Sequence, residues 1–499
     1  MFMQVTILGS GFSSLSAAAY LAKSGYKVVL LEKNSSFGGR ARRLQRDGFS
    51  FDMGPTWYWM PDIFDRFFAD FGKKTADYYD LHKLNPAYEV YFDIQDSVVI
   101  SDNIEKIKAV FESIETGAAE KLDDFMQMAH DNYEIAIKDL VYRPGVSPLE
   151  LITPETIKKI GQFTSTISKE VRKRFKNRRL IQILEFPVLF LGAKPSDTPA
   201  FYSFMNQADF GLGTFHPQKG MFSVVEAMVH LCKSLGVEMH TNAEVSEILT
   251  ERNKVSGVLV HDNVFHTDIL LSGADYHHTE SLLPPSFRMY SEQYWDKKTF
   301  APSSLLFYVA FDKKIENVSH HTLFFDVDFD THAQDIYDHP KWPENPLFYA
   351  SFPSKTDDFF APEGCEAATF LIPLAPGLED SVEMRNVFFD KIMHRLELLT
   401  KQSLRQNIIF KESFCVNDFV EQYHSYKGNA YGMANTLFQT AFLRPKLKSK
   451  TLKNMYFTGQ LTVPGPGVPP ALISGKLVSE LIVKHHPFTI KKDQRLNFV

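Results

Sequence analysis

Val5-Thr6-Ile7-Leu8-Gly9-Ser10-Gly11-Phe12-Ser13-Ser14 stands at the start of the chain, and a second apolar run, Tyr26 to Leu31, ends in Glu32. A short β-type run, a glycine turn, an alanine-rich helical stretch from Leu15 to Ala22, a second strand and an acid form the order of a dinucleotide-binding βαβ unit. Gly9 permits the tight turn. Gly11 lets the backbone approach a pyrophosphate, which then sits on the positive end of a helix. Glu32 can accept hydrogen bonds from a ribose diol, and it lies near the spacing that this role requires. The third glycine of the pattern is replaced by Ser14, small enough for close helix–strand packing.

Outward from this unit, the whole chain sets bounds. At 499 residues it can bury a large core in two or three structural units. Hydrophobic residues at 44% and charged residues at 23% are ordinary for a globular protein. The net charge of -6 argues against nucleic acid as a partner. Cys232, Cys365 and Cys415 have neither paired nor metal-type spacing, which suits thiols in a reducing compartment. His277-His278 lacks further ligands at metal spacing, so no metal site is expected. The start has no charged n-region, so no signal peptide is expected, and no apolar run reaches membrane-spanning length.

Gly38-Gly39-Arg40-Ala41-Arg42 and Gly48-Phe49-Ser50-Phe51-Asp52-Met53-Gly54-Pro55 extend the opening. Amides of a Gly-Gly turn can meet a second phosphate, and Arg40 can pair with it. A cofactor with two bulky ends, such as FAD, uses such a second element better than NAD does. In this order GxGxxS, the acid, GGRxR and GFxFDxGP resemble the FAD-binding start of the bacterial-type phytoene desaturases, within the flavin amine-oxidase-like superfamily. Asn454-Met455-Tyr456-Phe457-Thr458-Gly459-Gln460-Leu461-Thr462-Val463-Pro464-Gly465-Pro466-Gly467-Val468-Pro469-Pro470 resembles the C-terminal motif of the same family, and Gln460, Leu461, Val463 and Pro466 depart from its pattern.

The resemblance implies an α/β fold. It pairs a Rossmann-like FAD-binding domain of the glutathione-reductase type with a mixed-sheet substrate domain and a helical, membrane-docking segment. The expected units are 1–75 with 215–285 and 430–499 for FAD, 76–140 with 286–429 for substrate, and 141–214 for the helical lid. It also implies FAD contacts at Gly9, Gly11, Phe12, Ser13, Glu32, Lys33, Gly39, Arg40, Gly54, Pro55, Val245, Asp275, Gly459, Gln460, Gly467, Val468 and Pro469. Val245 would meet the adenine through its backbone. The helix from Ala471 to Val483 would aim its N-terminus at the flavin edge that becomes negative on reduction.

The middle of the chain is less explicit. Trp57-Tyr58-Trp59 and the phenylalanines after it read as helical core, with one or more of the three rings open to a ligand. Residues 86–101 read as a hairpin at the edge of a second sheet. Strands are expected at 303–311, 323–329, 347–352 and 367–374, with a helix over 384–399. Arg172, Lys173, Arg174, Lys176, Arg178 and Arg179 precede the apolar run 180–191, a pairing that suits an anionic bilayer or a solvated face beside a buried helix.

In chemistry, the resemblance implies hydride transfer from a saturated carbon to flavin with loss of a proton from the neighbouring carbon. In phytoene those carbons are allylic, so little acid–base help is needed. Asp131 and Glu134 are the candidate proton acceptors, with salt-bridge roles the favoured alternative for both. The expected reaction is phytoene to lycopene by successive desaturations. A diapophytoene or 3,4-desaturase, an isomerase or saturase, and a peripheral flavin-binding protein remain as alternatives. The expected partners are a hydrophobic polyene and a membrane surface, with membrane quinone or dioxygen as electron acceptor. The expected location is the cytoplasmic face of the cell membrane.

Overall fold

A computed structural model describes residues 3–487 apart from 95 and 437. The expected tail 488–499 and residues 1–2 therefore lie outside the described residues. The centre is a parallel sheet in the order Met455–Phe457, Ile269–Ser272, Gln4–Leu8, Lys27–Leu31, Glu238–His240. Val5, Ile7 and Leu30 are fully buried in it, as a parallel sheet covered on both faces requires. Strands from both ends of the chain thus lie in one sheet.

The helix Phe12–Lys23 follows the first strand, and the helix Val468–His485 packs along it. Their approach is very close. A Cβ on Gly475 would stand 2.4 Å from the carbonyl oxygen of Ser13 and 2.8 Å from the nitrogen of Ala17. The missing third glycine is explained on the opposite strand. A Cβ on Gly273 would stand 2.0 Å from Ser14 Oγ, so the glycine that makes room for this contact belongs to the strand side. A three-stranded antiparallel sheet, Val245–Glu251, Lys254–Val260 and Asn263–His266, is inserted before the strand Ile269–Ser272.

The second sheet has seven strands in the order Ile408–Phe414, Ser303–Phe311, Glu366–Leu374, Phe348–Ser351, His321–Phe324, Tyr88–Asp93, Asp96–Ile100. All neighbours are antiparallel except His321–Phe324 and Tyr88–Asp93, so the sheet is mixed, with the expected hairpin at its edge. The helix Val382–Thr400 covers one face, setting Phe389, Ile392 and Leu396 against Phe307, Val309 and Phe370. The strand expected over 323–329 is shorter. Asp328 accepts a hydrogen bond from the Thr331 amide at 2.7 Å and starts the helix Phe329–Tyr337 instead.

The helical layer begins earlier than 141. The helices Ile104–Ile114 and Ala118–Lys138 join it through Phe111, which meets the rings of Phe175 and Phe210, and through Asn132, which donates to Ser203 at 2.9 Å. The basic stretch here is not a free cationic face. Arg172 grips the buried Glu185 at 3.0 and 3.2 Å, Arg174 pairs with Glu170 at 2.7 Å, and Arg179 reaches Asp96 at 2.6 Å. Leu180, Ile183, Leu184 and Val188 are fully buried. Of the two readings of 172–191, the bilayer one is corrected in favour of a helix face beside a buried helix: Arg172, Arg174, Arg178 and Arg179 close ion pairs within the fold, and most of the apolar run is buried.

Asp209 lies in a single π-helical turn, Gln207–Leu212, and accepts from the Tyr88 hydroxyl at 2.8 Å. Burial pushes its carboxyl up to about 8, against the opposing pull of the Tyr88 bond. Burial likewise raises Asp52 to about 6 despite bonds from the amides of Met221 and Phe222. Between about pH 4 and these values the folded chain holds more protons than the unfolded chain, so stability falls as pH rises through that window. Asp209→Asn keeps a Tyr88 acceptor and removes one such group. Denaturant titrations should show a flatter decline between pH 6 and 8, by up to about 1.4 kcal/mol per pH unit. An unchanged slope would refute the assignment.

Candidate functional site

Each proposed FAD contact, from Gly9 to Pro469, lines one continuous cavity of about 900 Å³. The sheet explains the convergence. The ends of the strands Gln4–Leu8, Lys27–Leu31, Ile269–Ser272 and Met455–Phe457 deliver Gly9, Glu32, Asp275 and Gly459 to the same edge, the usual ligand crevice of an open α/β sheet.

At the nucleotide end, Gly9 adopts φ +81°, which an L side chain rarely reaches. A Cβ on Gly11 would project into open space, leaving room for a group against the backbone there. Glu32 Oε2 accepts from the amide of Ser10 at 2.9 Å and from its hydroxyl, and Oε1 accepts from the Asn34 amide at 2.8 Å. The carboxylate therefore fixes the glycine turn as well as facing the cavity. Val245, Glu244, His278 and His424 complete this end, the two imidazoles stacked 3.9 Å apart. Burial pulls His278 down to about 4, so it is neutral near pH 7. The segment 419–424, which supplies Gln422, Tyr423 and His424, escaped the sequence reading because it carries no glycine or motif signal.

Arg40 is set for an anion. Its Nη2 donates to Ser425 Oγ at 3.0 Å and its guanidinium lies over the Tyr423 ring, yet its buried Nε has no partner. Burial lowers its pKa, and Asp275 opposes that shift. With the Gln460 amide oriented to satisfy both of its ends, its oxygen accepts from both terminal nitrogens of Arg40 at 3.2 Å. The open face at Gly11, the orphan donor of Arg40 and the acid at Glu32 fit a dinucleotide with a pyrophosphate. Gly467, Val468 and Pro469 open the helix Val468–His485 at the far end of this line, where a flavin ring would lie.

From there the cavity turns apolar. Trp57 and Trp59 line it, while Tyr58 between them points away and bonds Tyr79 at 2.9 Å, the alternation of an extended segment. Phe186, Phe325, Leu323 and Leu347 continue the wall. Polar side chains also occur in the lining, and one group of them is hydrogen-bonded beside Pro55. The Tyr349 hydroxyl lies 2.9 Å from Thr56 Oγ1 and 2.7 Å from His321 Nδ1, and Thr56 directly follows Pro55. Burial keeps His321 neutral, and its Nε2 has no partner. Sequence gave no sign of this group, because a tyrosine and a histidine on separate strands have no shared spacing.

Asp131 and Glu134 do not reach the cavity. Asp131 pairs with Lys159 at 3.4 Å and accepts from Gln127, and Glu134 pairs with Lys138 one helical turn on. Only the other face of their helix, at Ala136 and Ile137, meets the cavity. The candidacy of both as proton acceptors is corrected, and the favoured salt-bridge reading is the one that the structure shows.

Comparison with known proteins agrees with this geometry. Residues 12–483 match the family described as flavin containing amine oxidoreductase. The chain is 41% identical to a carotenoid 3,4-desaturase of Haloarcula japonica over 96% of its own length and 98% of that protein. It is 29% identical to a 4,4'-diapophytoene desaturase (4,4'-diaponeurosporene-forming) of Staphylococcus haemolyticus, over 97% and 99%. Among solved structures, an oxidoreductase from Methanosarcina mazei shares the fold with TM-score 0.61 at 16% identity, covering 96% of this chain and 100% of that one. Putrescine oxidase does so with TM-score 0.60 at 14% identity, covering 97% and 100%. The chain belongs to the carotenoid desaturases of the flavin containing amine oxidoreductase family, and is an FAD-dependent oxidoreductase acting on CH–CH groups.

Proposed function

We propose that the chain desaturates an acyclic carotene, with phytoene as substrate and lycopene as product. The observation that carries this reading is the cavity itself: a dinucleotide site that opens directly into a wall of aromatic and aliphatic side chains. Such a wall offers a long hydrocarbon burial at ~0.8 kcal/mol per CH2 with no demand for a polar handle. A second reading, 3,4-desaturation near the chain end, is favoured by the 41% identical relative of that name. Purified protein with FAD would be given liposomes holding phytoene, lycopene or diapophytoene. Conversion of phytoene to lycopene supports the first reading. Reaction of lycopene alone replaces it with the second, and reaction of diapophytoene alone overturns both.

FAD supplies the two-electron acceptor. The protein holds the substrate against it, excludes water, and must release one proton per desaturation. Tyr349, a cavity-lining hydroxyl bonded to Thr56 and His321, is the group we assign to pass that proton on. Tyr349→Phe should slow substrate-driven bleaching of the flavin about tenfold or more while FAD affinity stays unchanged. An unaltered rate would remove Tyr349 from this role.

The substrate must come from a bilayer, and the mouth of the cavity is built for one. Ile152, Ile157, Ile160 and Leu443 line the cavity and are also exposed at its rim, with Ile160 65% exposed. Leu149 at 71% and Val146 extend the same rim. Gly145 packs against Ala441 and accepts from Lys446 Nζ at 3.0 Å, which joins the two rim segments. Among the described residues no helix is long and apolar enough to cross a membrane. Docking on the cytoplasmic face of the cell membrane, with a membrane quinone or dioxygen receiving the electrons, follows as part of the proposal.

A further inference from the structure

Arg444 is 2% exposed, and no carboxylate pairs with it among the described residues. Two other arginines that turn into the fold are matched: Arg385 has Asp380 and Asp418, and Arg395 has Asp326. Arg444 has only neutral acceptors. Its Nη1 donates to the Gln460 carbonyl at 3.1 Å. Its Nη2 donates to the Met433 carbonyl at 2.8 Å and to Asn435 Oδ1. Its Nε has no partner. A second cation, Lys298, lies within its electrostatic reach: burial and then Arg444 lower the Lys298 pKa.

A buried charge without a counter-ion costs several kcal/mol in a folded protein. The structure shows where the counter-charge belongs. Gln460 and Asn435 are cavity wall, and Arg444 stands directly behind them. A Cβ on Gly465 would lie 3.2 Å from Nη2, so the guanidinium also underlies the turn that leads to Gly467. The 18-residue helix Val468–His485 starts there, with its positive end toward the same part of the cavity.

We propose that Arg444 is a positioning residue whose buried positive charge, together with that helix N-terminus, favours negative charge on the flavin ring. This inference rests on the FAD assignment and on no particular carotenoid. It acts through Gln460 and Asn435 rather than by contact with substrate.

The test uses the purified holoprotein without carotenoid. The midpoint potential of bound FAD and its affinity for sulfite are measured. Sulfite adds through sulfur to the oxidised ring and leaves negative charge on it. Arg444→Gln keeps an amide donor and removes the charge, and it should weaken sulfite binding at least tenfold. Binding of the two-electron reduced form should weaken by a similar factor relative to the oxidised form, which is about 30 mV of potential. Arg444→Lys should restore most of both. Asn435→Asp leaves the guanidinium in place and neutralises it, so it should lower both quantities even where the arginine variants fold poorly. If sulfite affinity stays within threefold of wild type and the potential within about 14 mV while only thermal stability falls, Arg444 is a structural clip and the proposal is overturned. A chain that takes up no flavin would fail the cofactor assignment instead.

Discussion

Glu32→Ala is expected to weaken FAD binding by about 100-fold to 1000-fold, the largest single-site effect in the molecule. Two costs combine. The ribose loses a charge-assisted acceptor, worth about 1.5–3 kcal/mol, and the buried Ser10 amide that now bonds Glu32 Oε2 at 2.9 Å is left unpaired, worth about 1–3 kcal/mol. Since the amide belongs to the glycine turn between Gly9 and Gly11, the phosphate cradle loosens with the ribose contact. A sum near 3–4 kcal/mol corresponds to the stated factor. Glu32→Gln keeps an acceptor without the charge and should fall between, near tenfold. Fluorescence titration of the unloaded protein with FAD measures both. A loss under tenfold for the alanine variant would show that Glu32 serves the fold of the turn and not the cofactor.

The second large effect concerns the rim. The triple variant Leu149→Glu, Ile157→Glu, Ile160→Glu should lose at least 100-fold in affinity for vesicles of anionic phospholipid. Each side chain is more than half exposed and bonded to nothing that fixes the fold. Inserting one to half depth gains about 1 kcal/mol, and a carboxylate in its place is in addition repelled by anionic headgroups. Three together give about 3 kcal/mol or more. Thermal stability and FAD content should stay at wild-type values, because the changes lie outside the core. Vesicle co-sedimentation decides the matter: binding within threefold of wild type would remove this rim from the membrane.

Comparison of sequence and structure shows which physical rules leave a local trace. The glycine turns at the dinucleotide end of the cavity were readable because backbone sterics dictate them. Gly9, Gly39, Gly459 and Gly467 all have positive φ, and few residue types satisfy that demand. Their order along the chain therefore survives as a pattern. The substrate half was not readable, because an apolar cavity wall and an apolar core use the same side chains. Nothing local separates Trp57 and Leu323, which line the cavity, from Phe64 and Leu305, which are core.

The two misread stretches share another cause. Arg172 to Arg179 look like a free basic face until Glu185 and Asp96 are seen beside them, and the Asp96 contact spans 83 residues. Asp131 and Glu134 leave both a proton-acceptor and an ion-pair role open until their lysine partners are placed. Charge runs state how many ions a segment carries and not where the counter-ions stand. Ser14 is the converse case. It breaks the glycine rule in its own segment, and Gly273, 259 residues later, keeps that rule for it.

The sheet that carries the cofactor site takes its outer strand, Met455–Phe457, and its closing helix, Val468–His485, from the end of the chain. Synthesis proceeds at about 5–20 residues per second, so roughly 15–65 s separate the emergence of Ile160 from that of the last helix. For that time the exposed apolar residues Leu149, Ile152, Ile157 and Ile160 exist, and the late rim segment with Leu443 and the place for FAD do not. If this stretch docks on lipid as proposed, the newborn chain can reach lipid before it can hold its flavin, and cofactor uptake becomes the completing step. Cells short of flavin should accumulate this protein as a lipid-bound, colourless and protease-sensitive form rather than as a soluble one.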